Sequence, residues 1–300
     1  MLDSLTSSEG HRESLNFENH VVAYLDILGF SNFVQKAEND ENIRNKLRNL
    51  LYYVIPKHVT PDEIEEKIPI KELNLECVSF SDSIVISAPV ESKISNRYPA
   101  LIAVSIKSIQ IAHELLAMGF LVRGAVSVGK LHRTPSSIVG TAYQEAVRCE
   151  QSESYPKLLL TDSAKSHLYE LLRCNMTRFS IFSQDETEMV ILNSIYPSEH
   201  YYANGSEDLK SRYLSYKKVI LKNINDTALD DKAKEKWSWF AKLFDSNLKY
   251  FSELNGLEPL ENEIPRITPN LLNPTERASV WMEQFKQPSI PVRIKNGDRS

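Results

Sequence analysis

The order in which strand-like and helix-like stretches alternate constrains this chain most. HVVAYLDI (20–27) has the apolar character of a short buried strand. Gly29 then turns the chain at once into helical spacing, with Ser31 as the expected N-cap and apolar residues recurring from Phe33 to Val54. A polar, proline-punctuated connection (59–72) follows. Residues 74–81 and 83–89 read as two strands joined tightly around Ser81-Asp82. Residues 98–119 form a long helix pattern closed by Gly119, and 120–129 a further strand. The order β-α-β-β-α-β predicts an α+β fold of split βαβ type, an antiparallel sheet with helices on one face. A helix (139–151), a strand in PKLLLTD, a helix in SAKSHLYELLRC and a hairpin made of TRFSIFSQ and EMVILNSI extend it. The expected organisation is a flexible segment at 1–19, one catalytic-type domain over 20–199, and a helical extension with a loose tail over 200–300.

Two acids stand out against this pattern. Asp26 closes the first strand and Asp82 sits in the middle of CVSFSDSIVISAP. A buried carboxylate without a partner is costly, so a positive charge between them is expected. In a split βαβ sheet the first strand and the hairpin lie side by side. The two carboxylates then converge on one divalent cation, which takes carboxylate and carbonyl oxygens. The plainer alternative is that each acid caps its own turn. DILGFS adds a second feature, because Gly29 permits a tight turn and leaves the Phe30 and Ser31 amides at a helix start, a ready anion site. The plainer alternative there is an ordinary strand-to-helix turn.

Other chemistries are disfavoured. The net charge of −5 and the lack of a Lys/Arg block argue against wrapping a nucleic-acid backbone. No apolar run reads as the roughly 18 residues of a membrane span, and no signal-peptide pattern opens the sequence. Cys77, Cys149 and Cys174 are odd in number and widely spaced, as expected for free thiols in a reducing cytoplasm. Gly124 to Lys130 approximates a phosphate loop, but its spacer is β-branched and Leu131 stands where a hydroxyl belongs. The histidines lack zinc-ligand spacing, and no nucleophile elbow occurs.

Four blocks, in order over about residues 20–162, resemble the class III nucleotidyl cyclases, whose catalytic core is a ferredoxin-like palm. DILGF is similar to the family's first metal motif, and SFSDSIVIS to the hairpin carrying its second metal-binding Asp. VRGAVSVG resembles the strand with a phosphate-contacting Arg, here Arg123, although Gly124 comes one position early. VGTAYQEAVRCE resembles the helix in which Gly140, Ala146, Arg148 and Glu150 keep the family spacing. The departures fall at the base-reading and ribose-orienting positions, where Val78, Ser137 and Gln144 stand, and no counterpart of a late transition-state Lys is evident in FSQDETEMVI. With the tryptophan-containing C-terminal helix, they are similar to the pyrimidine cyclases of Pycsar antiphage defence.

The resemblance implies a two-metal cyclisation of a nucleoside triphosphate, with two Mg²⁺ or Mn²⁺ ions held by Asp26, Asp82 and the Ile27 carbonyl. Phe30, Ser31 and Arg123 would contact the triphosphate, Arg148 the developing charge, and Gln144 the ribose. It further implies a cytoplasmic homodimer with sites at the interface, and a cyclic UMP product acting on a separate effector in antiviral signalling. Cyclic CMP, or a non-catalytic nucleotide-binding module, are the alternatives. Val78 and Ser137 do not separate uracil from cytosine. Tyr52 and Tyr53 are candidate base-stacking partners, although a core role is the expectation for them.

Overall fold

The computed structural model describes residues 15–59, 70–96, 98–134, 137–173, 181–184, 190–196 and 206–255. Cys174, most of the N-terminal segment and the tail beyond 255 lie outside the described residues. In chain order the elements are β1 (Glu18–Ile27), α1 (Phe30–Asn39), α2 (Glu41–Asn49), a π-helical turn (Leu50–Val54), α3 (Ile55–Val59) and α4 (Ile70–Leu73). There follow β2 (Glu76–Phe80), β3 (Ser83–Pro89), α5 (Ala100–Ala117), β4 (Val122–Thr134), β5 (Ser137–Val139) and α6 (Thr141–Gln151). The remainder is β6 (Leu158–Leu160), α7 (Asp162–Arg173), β7 (Phe182–Gln184), β8 (Val190–Leu192), α8 (Ser206–Ile224) and α9 (Asp231–Asn255).

The sheet runs β2-β3-β1-β4-β6-β8-β7, with β5 paired to β4 off this path. β1 is antiparallel to both β3 and β4, which is the expected βαββαβ arrangement, and the fold is α+β. β6 extends the sheet parallel to β4, and the β7–β8 hairpin closes that side. Side chains alternate across a strand, so Val21, Ala23, Leu25 and Ile27 meet α5 while Val22 and Tyr24 face the other way.

The structure departs from the sequence reading in four places. Helices lie on both faces, because α6 packs Ala142 and Ala146 on the side opposite α5. The first helix is broken, because Asp40 leaves helical geometry and caps α2 by accepting from the Asn42 and Ile43 amides. Ser31 does not cap α1. Gly29 does, in the left-handed conformation (φ 77°) with no side-chain cap. Tyr52 and Tyr53 are not core residues, since the π-helical turn leaves them 71% and 67% exposed. In addition, α5 is long and apolar enough to cross a membrane by length and composition, although 89% of that span is buried inside the protein.

The C-terminal helices form a second apolar core. Tyr213, Tyr216 and Ile220 of α8 pack with Trp237, Phe240 and Phe244 of α9 against Leu116 and Leu121. Leu28, two residues past Asp26, joins the edge of this core. The extension is therefore fixed to the end of the sheet that carries the acids.

Candidate active site

One ladder rung sets the site. Asp26 lies opposite Ser83 of β3 on one side and Arg123 of β4 on the other. Phe80 of β2 extends the rung to the sheet edge, where it is half exposed. All four occupy the face that α6 covers only in part. The Ile27 amide donates to the Asp82 carbonyl at 3.1 Å, which ties the end of β1 to the hairpin turn. That turn is tight, with Ser81 at φ 57°. The backbones of Asp26 and Asp82 are thus brought close together, through the Ile27 amide.

The charge distribution around Asp26 is uneven. Its carboxyl is pushed up to about 6, chiefly by burial and then by repulsion from Glu150 and Asp82. Arg123 and Lys236 only partly offset this. Arg123 sits 3.6 Å from the Asp26 carboxylate but is engaged elsewhere. Its Nε and Nη2 both meet Glu150 Oε1, and Nη1 donates to the Glu153 carbonyl at 2.7 Å. Arg123 therefore does not lie between the two acids as expected: it stands on the β4 side of Asp26, opposite the hairpin, and its charge is shared among three groups. Two carboxylates with backbone oxygen nearby suit a hard divalent cation that completes its shell with water and phosphate. Among the described residues no three His, Cys, Asp or Glu side chains gather into a fuller metal cage.

The start of α1 stands four residues past Asp26. The first helical bond runs from the Phe33 amide to the Gly29 carbonyl, so the Phe30 and Ser31 amides precede the helical ladder. The Phe30 side chain is buried in the α5-side core and pins this turn. A side chain at Gly29 would meet nothing within 4 Å, so the demand for glycine there is purely conformational.

α6 separates two sets of residues. Ala142, Ala146 and Glu150 are buried against the sheet, whereas Gln144 and Arg148 are exposed. Gln144 and Arg148 are spaced i, i+4 on the outer side of the helix, so one chain does not bring them to Asp26. Gly140 places α6, because a Cβ there would lie 2.2 Å from the Lys130 carbonyl. Ser137 is exposed on β5 and Val78 is half-buried on β2. Arg133 fastens the end of β4 back over β1. It donates to the Ser87 carbonyl (3.0 Å) and the Asn74 carbonyl (3.2 Å) and pairs with Glu76 at 2.8 Å. The β4–β5 tip is thereby held toward the strand that carries Val78.

Sequence reading missed the partners of Arg123. Glu150 was noted only for its spacing, yet it continues the stripe of Ala142 and Ala146, and an acid on a buried helical stripe marks a required partner. Glu153 and Tyr155 carried no local signal, and α9, legible as an aromatic helix, gave no sign that it returns to this end of the sheet.

No family model matches the sequence, and no curated protein matches it significantly. Solved structures do match in part. The catalytic core of a rhodopsin-guanylyl cyclase with converted specificity, in complex with ATPαS, is 13% identical with a TM-score of 0.34, over 51% of this chain and 81% of that one. An adenylate/guanylate cyclase/hydrolase from Silicibacter pomeroyi is 14% identical with a TM-score of 0.35, over 59% and 95%. A class III adenylyl cyclase-like ATP-binding protein from Pseudomonas aeruginosa is 13% identical with a TM-score of 0.34, over 50% and 34%. With overlap this partial, nothing about activity passes from those proteins to this chain.

Proposed function

We propose that this chain is a nucleotidyl cyclase that converts a pyrimidine nucleoside triphosphate, preferentially UTP, to its 3′,5′-cyclic monophosphate and pyrophosphate. The observation that carries the reading is the convergence of Asp26 and Asp82 beside the α1 start, on the incompletely covered face of the sheet. Carboxylates placed next to free helix amides suit a substrate that brings its own phosphates and needs divalent cations.

Asp26, Asp82 and the Ile27 carbonyl would hold two Mg²⁺ or Mn²⁺ ions. When bound, such ions supply the positive charge that acidifies the ribose 3′-hydroxyl and offsets charge on the departing pyrophosphate. The 3′-hydroxyl gives up its proton to water, and its oxygen forms a bond to the α-phosphorus as the bond from that phosphorus to the oxygen bridging to the β-phosphate breaks, releasing pyrophosphate. The Phe30 and Ser31 amides receive phosphate oxygens. Arg123, held by Glu150, acts on the phosphates as a fixed nearby charge. Arg148 stabilises the α-phosphate by its planar fork, and Gln144 orients the ribose. Both stand on the outer side of α6, away from Asp26, which supports a homodimer whose two sites each take one set of residues from each chain.

Val78 offers a base no hydrogen bond, and Ser137 offers one hydroxyl. A purine would leave several ring polar atoms without partners, at about 1–3 kcal/mol each. The resemblance to pyrimidine cyclases carries the remaining part of the reading, a cytoplasmic antiviral signal received by a separate effector. The engagement of Arg123 by Glu150 favours a second reading, a nucleotide-binding module without catalysis.

The test is turnover of each of the four triphosphates with Mn²⁺, followed by pyrophosphate release and product mass. UTP should lead, with purines lower by about ten- to a hundredfold in kcat/KM. CTP in the lead would make the product cyclic CMP. ATP or GTP in the lead would overturn the pyrimidine assignment, and binding without turnover would establish the non-catalytic module.

A further inference from the structure

A run of contacts leads from the candidate site to the C-terminal extension. The Glu153 carbonyl accepts from Arg123, and the Glu153 side chain accepts from the Tyr155 amide at 2.8 Å. The Tyr155 hydroxyl donates to Glu235 of α9 at 2.6 Å, and its ring stacks on Trp239 at 5.8 Å. Lys157, which is buried and paired with Glu153 at 3.2 Å, lies 5.7 Å from the centre of the Trp239 ring. On the other flank of α9, Trp237 and Phe240 are buried in the core that includes Leu121 and is edged by Leu28. These two residues are near neighbours of Arg123 and Asp26 in sequence. The first turns of α9 are thus held on two sides, both next to the acid-bearing rung.

Lys236 stands between those flanks. Glu235 and Trp239 share the side that grips Tyr155, and Trp237 begins the buried stripe, so helical geometry puts Lys236 along the seam. It is half-buried, and among the described residues no acid pairs with it at ion-pair distance. Its charge is nevertheless felt at Asp26. The cation closest to Asp26, Arg123, is already committed to Glu150. A triphosphate entering between the two acids and the α1 start brings several further negative charges.

We propose that Lys236 of the C-terminal extension is a phosphate-binding residue of this site, supplying in cis the mobile cation that Arg123 does not. This inference rests on the nucleotide-triphosphate reading above and assigns the extension a direct part in the site. A lysine suits the role, because its ammonium is a compact charge on a flexible stem that can follow a phosphate as it departs.

The experiment uses the full chain and inorganic tripolyphosphate with Mg²⁺ as the probe, measured by calorimetry and paired with steady-state kinetics on the best triphosphate. Lys236→Met should weaken tripolyphosphate binding about ten- to a hundredfold, the range of one charge-assisted hydrogen bond. Lys236→Arg should restore most of that loss, which a packing role would not predict. Lys232→Met, an exposed change on the same helix, should bind as the parent does. Tripolyphosphate bound equally by the parent and Lys236→Met overturns the assignment of Lys236 while leaving the site reading intact. A parent chain that binds neither tripolyphosphate nor any nucleoside triphosphate overturns both.

Discussion

The two faces of the sheet are built from alternate residues of the same strands, yet they are finished differently. On one face Ala23, Leu25 and Ile27 meet the near-wholly buried α5, which carries buried polar groups of its own, Lys107 and His113 among them. On the other face Tyr24 and Asp26 meet α6, which covers β4 and β1 but leaves the Phe80 edge open. The closed face gains its stability from apolar area removed from water, and any residue of suitable size serves there. The open face keeps a carboxylate in an environment that opposes its charge, a cost of the kind that active sites retain. The α6 face also packs apolar clusters, around Val22 and around Ala125, and gives way to a carboxylate only at the Asp26 end of β1.

The sharpest way to break this comparison is to change one residue on the open face and find activity intact. Asp26→Asn and Asp82→Asn should each lower turnover by at least about a thousandfold, because each keeps shape while removing the charge that would hold a cation. Circular dichroism and melting should show a folded chain. Turnover near the parent rate in either variant would remove the metal assignment.

The exposed side of α6 sharpens it further. Asp26→Ala and Arg148→Ala chains, inactive alone, should regain activity when mixed, up to half the parent value per mixed dimer, since only one of its two sites is intact. No recovery after demonstrated subunit exchange would argue against a site shared between chains.

The closed face should respond in the opposite sense. Ile86, fully buried against α5, should cost about 2–5 kcal/mol of stability when changed to alanine. Turnover per folded molecule at 25 °C should stay near the parent value. A large loss of turnover without a loss of stability would mean that the two faces are not independent.

The smallest effect concerns pH. In the metal-free chain the Asp26 carboxyl is raised from 3.8 to about 6. Between those values the folded chain holds a proton that the unfolded chain releases, so stability falls as pH rises through this window and levels off above it. After discounting for solvent screening the change is on the order of 1–2 kcal/mol. Urea unfolding with EDTA at pH 4 and pH 7 reads it, and Asp26→Asn should flatten the slope. A parent chain more stable at pH 7 than at pH 4, with Asp26→Asn unchanged in slope, would remove the strain assigned to Asp26.

Much of the fold was legible because its signals are local. Alternating apolar residues marked β1 and β3, and an unbroken apolar helix marked α5. Asp26 and Asp82 were legible for the same reason, as single acids in apolar surroundings. Arg123 was singled out, but its partner was not, because Glu150 lies 27 residues on and across the sheet face. The Tyr155–Glu235 contact spans 80 residues, and nothing near either residue announces it. The broken first helix was missed because apolar spacing continues past Asp40 while the backbone does not. The side of α6 was missed because strand order does not say which face a later helix returns to.

The position of β1 has a consequence for how the molecule comes into being. Asp26 is aligned by Ser83 and by Arg123, segments that leave the ribosome long after it does. Such distant pairings are slow to find, because the intervening chain must be closed into loops before any contact forms. A nascent chain that has not yet exposed β4 therefore has the acid but no rung to hold it. The rung is complete only when the central strand is flanked on both sides, so a chain that stops short of β4 holds Asp26 without it.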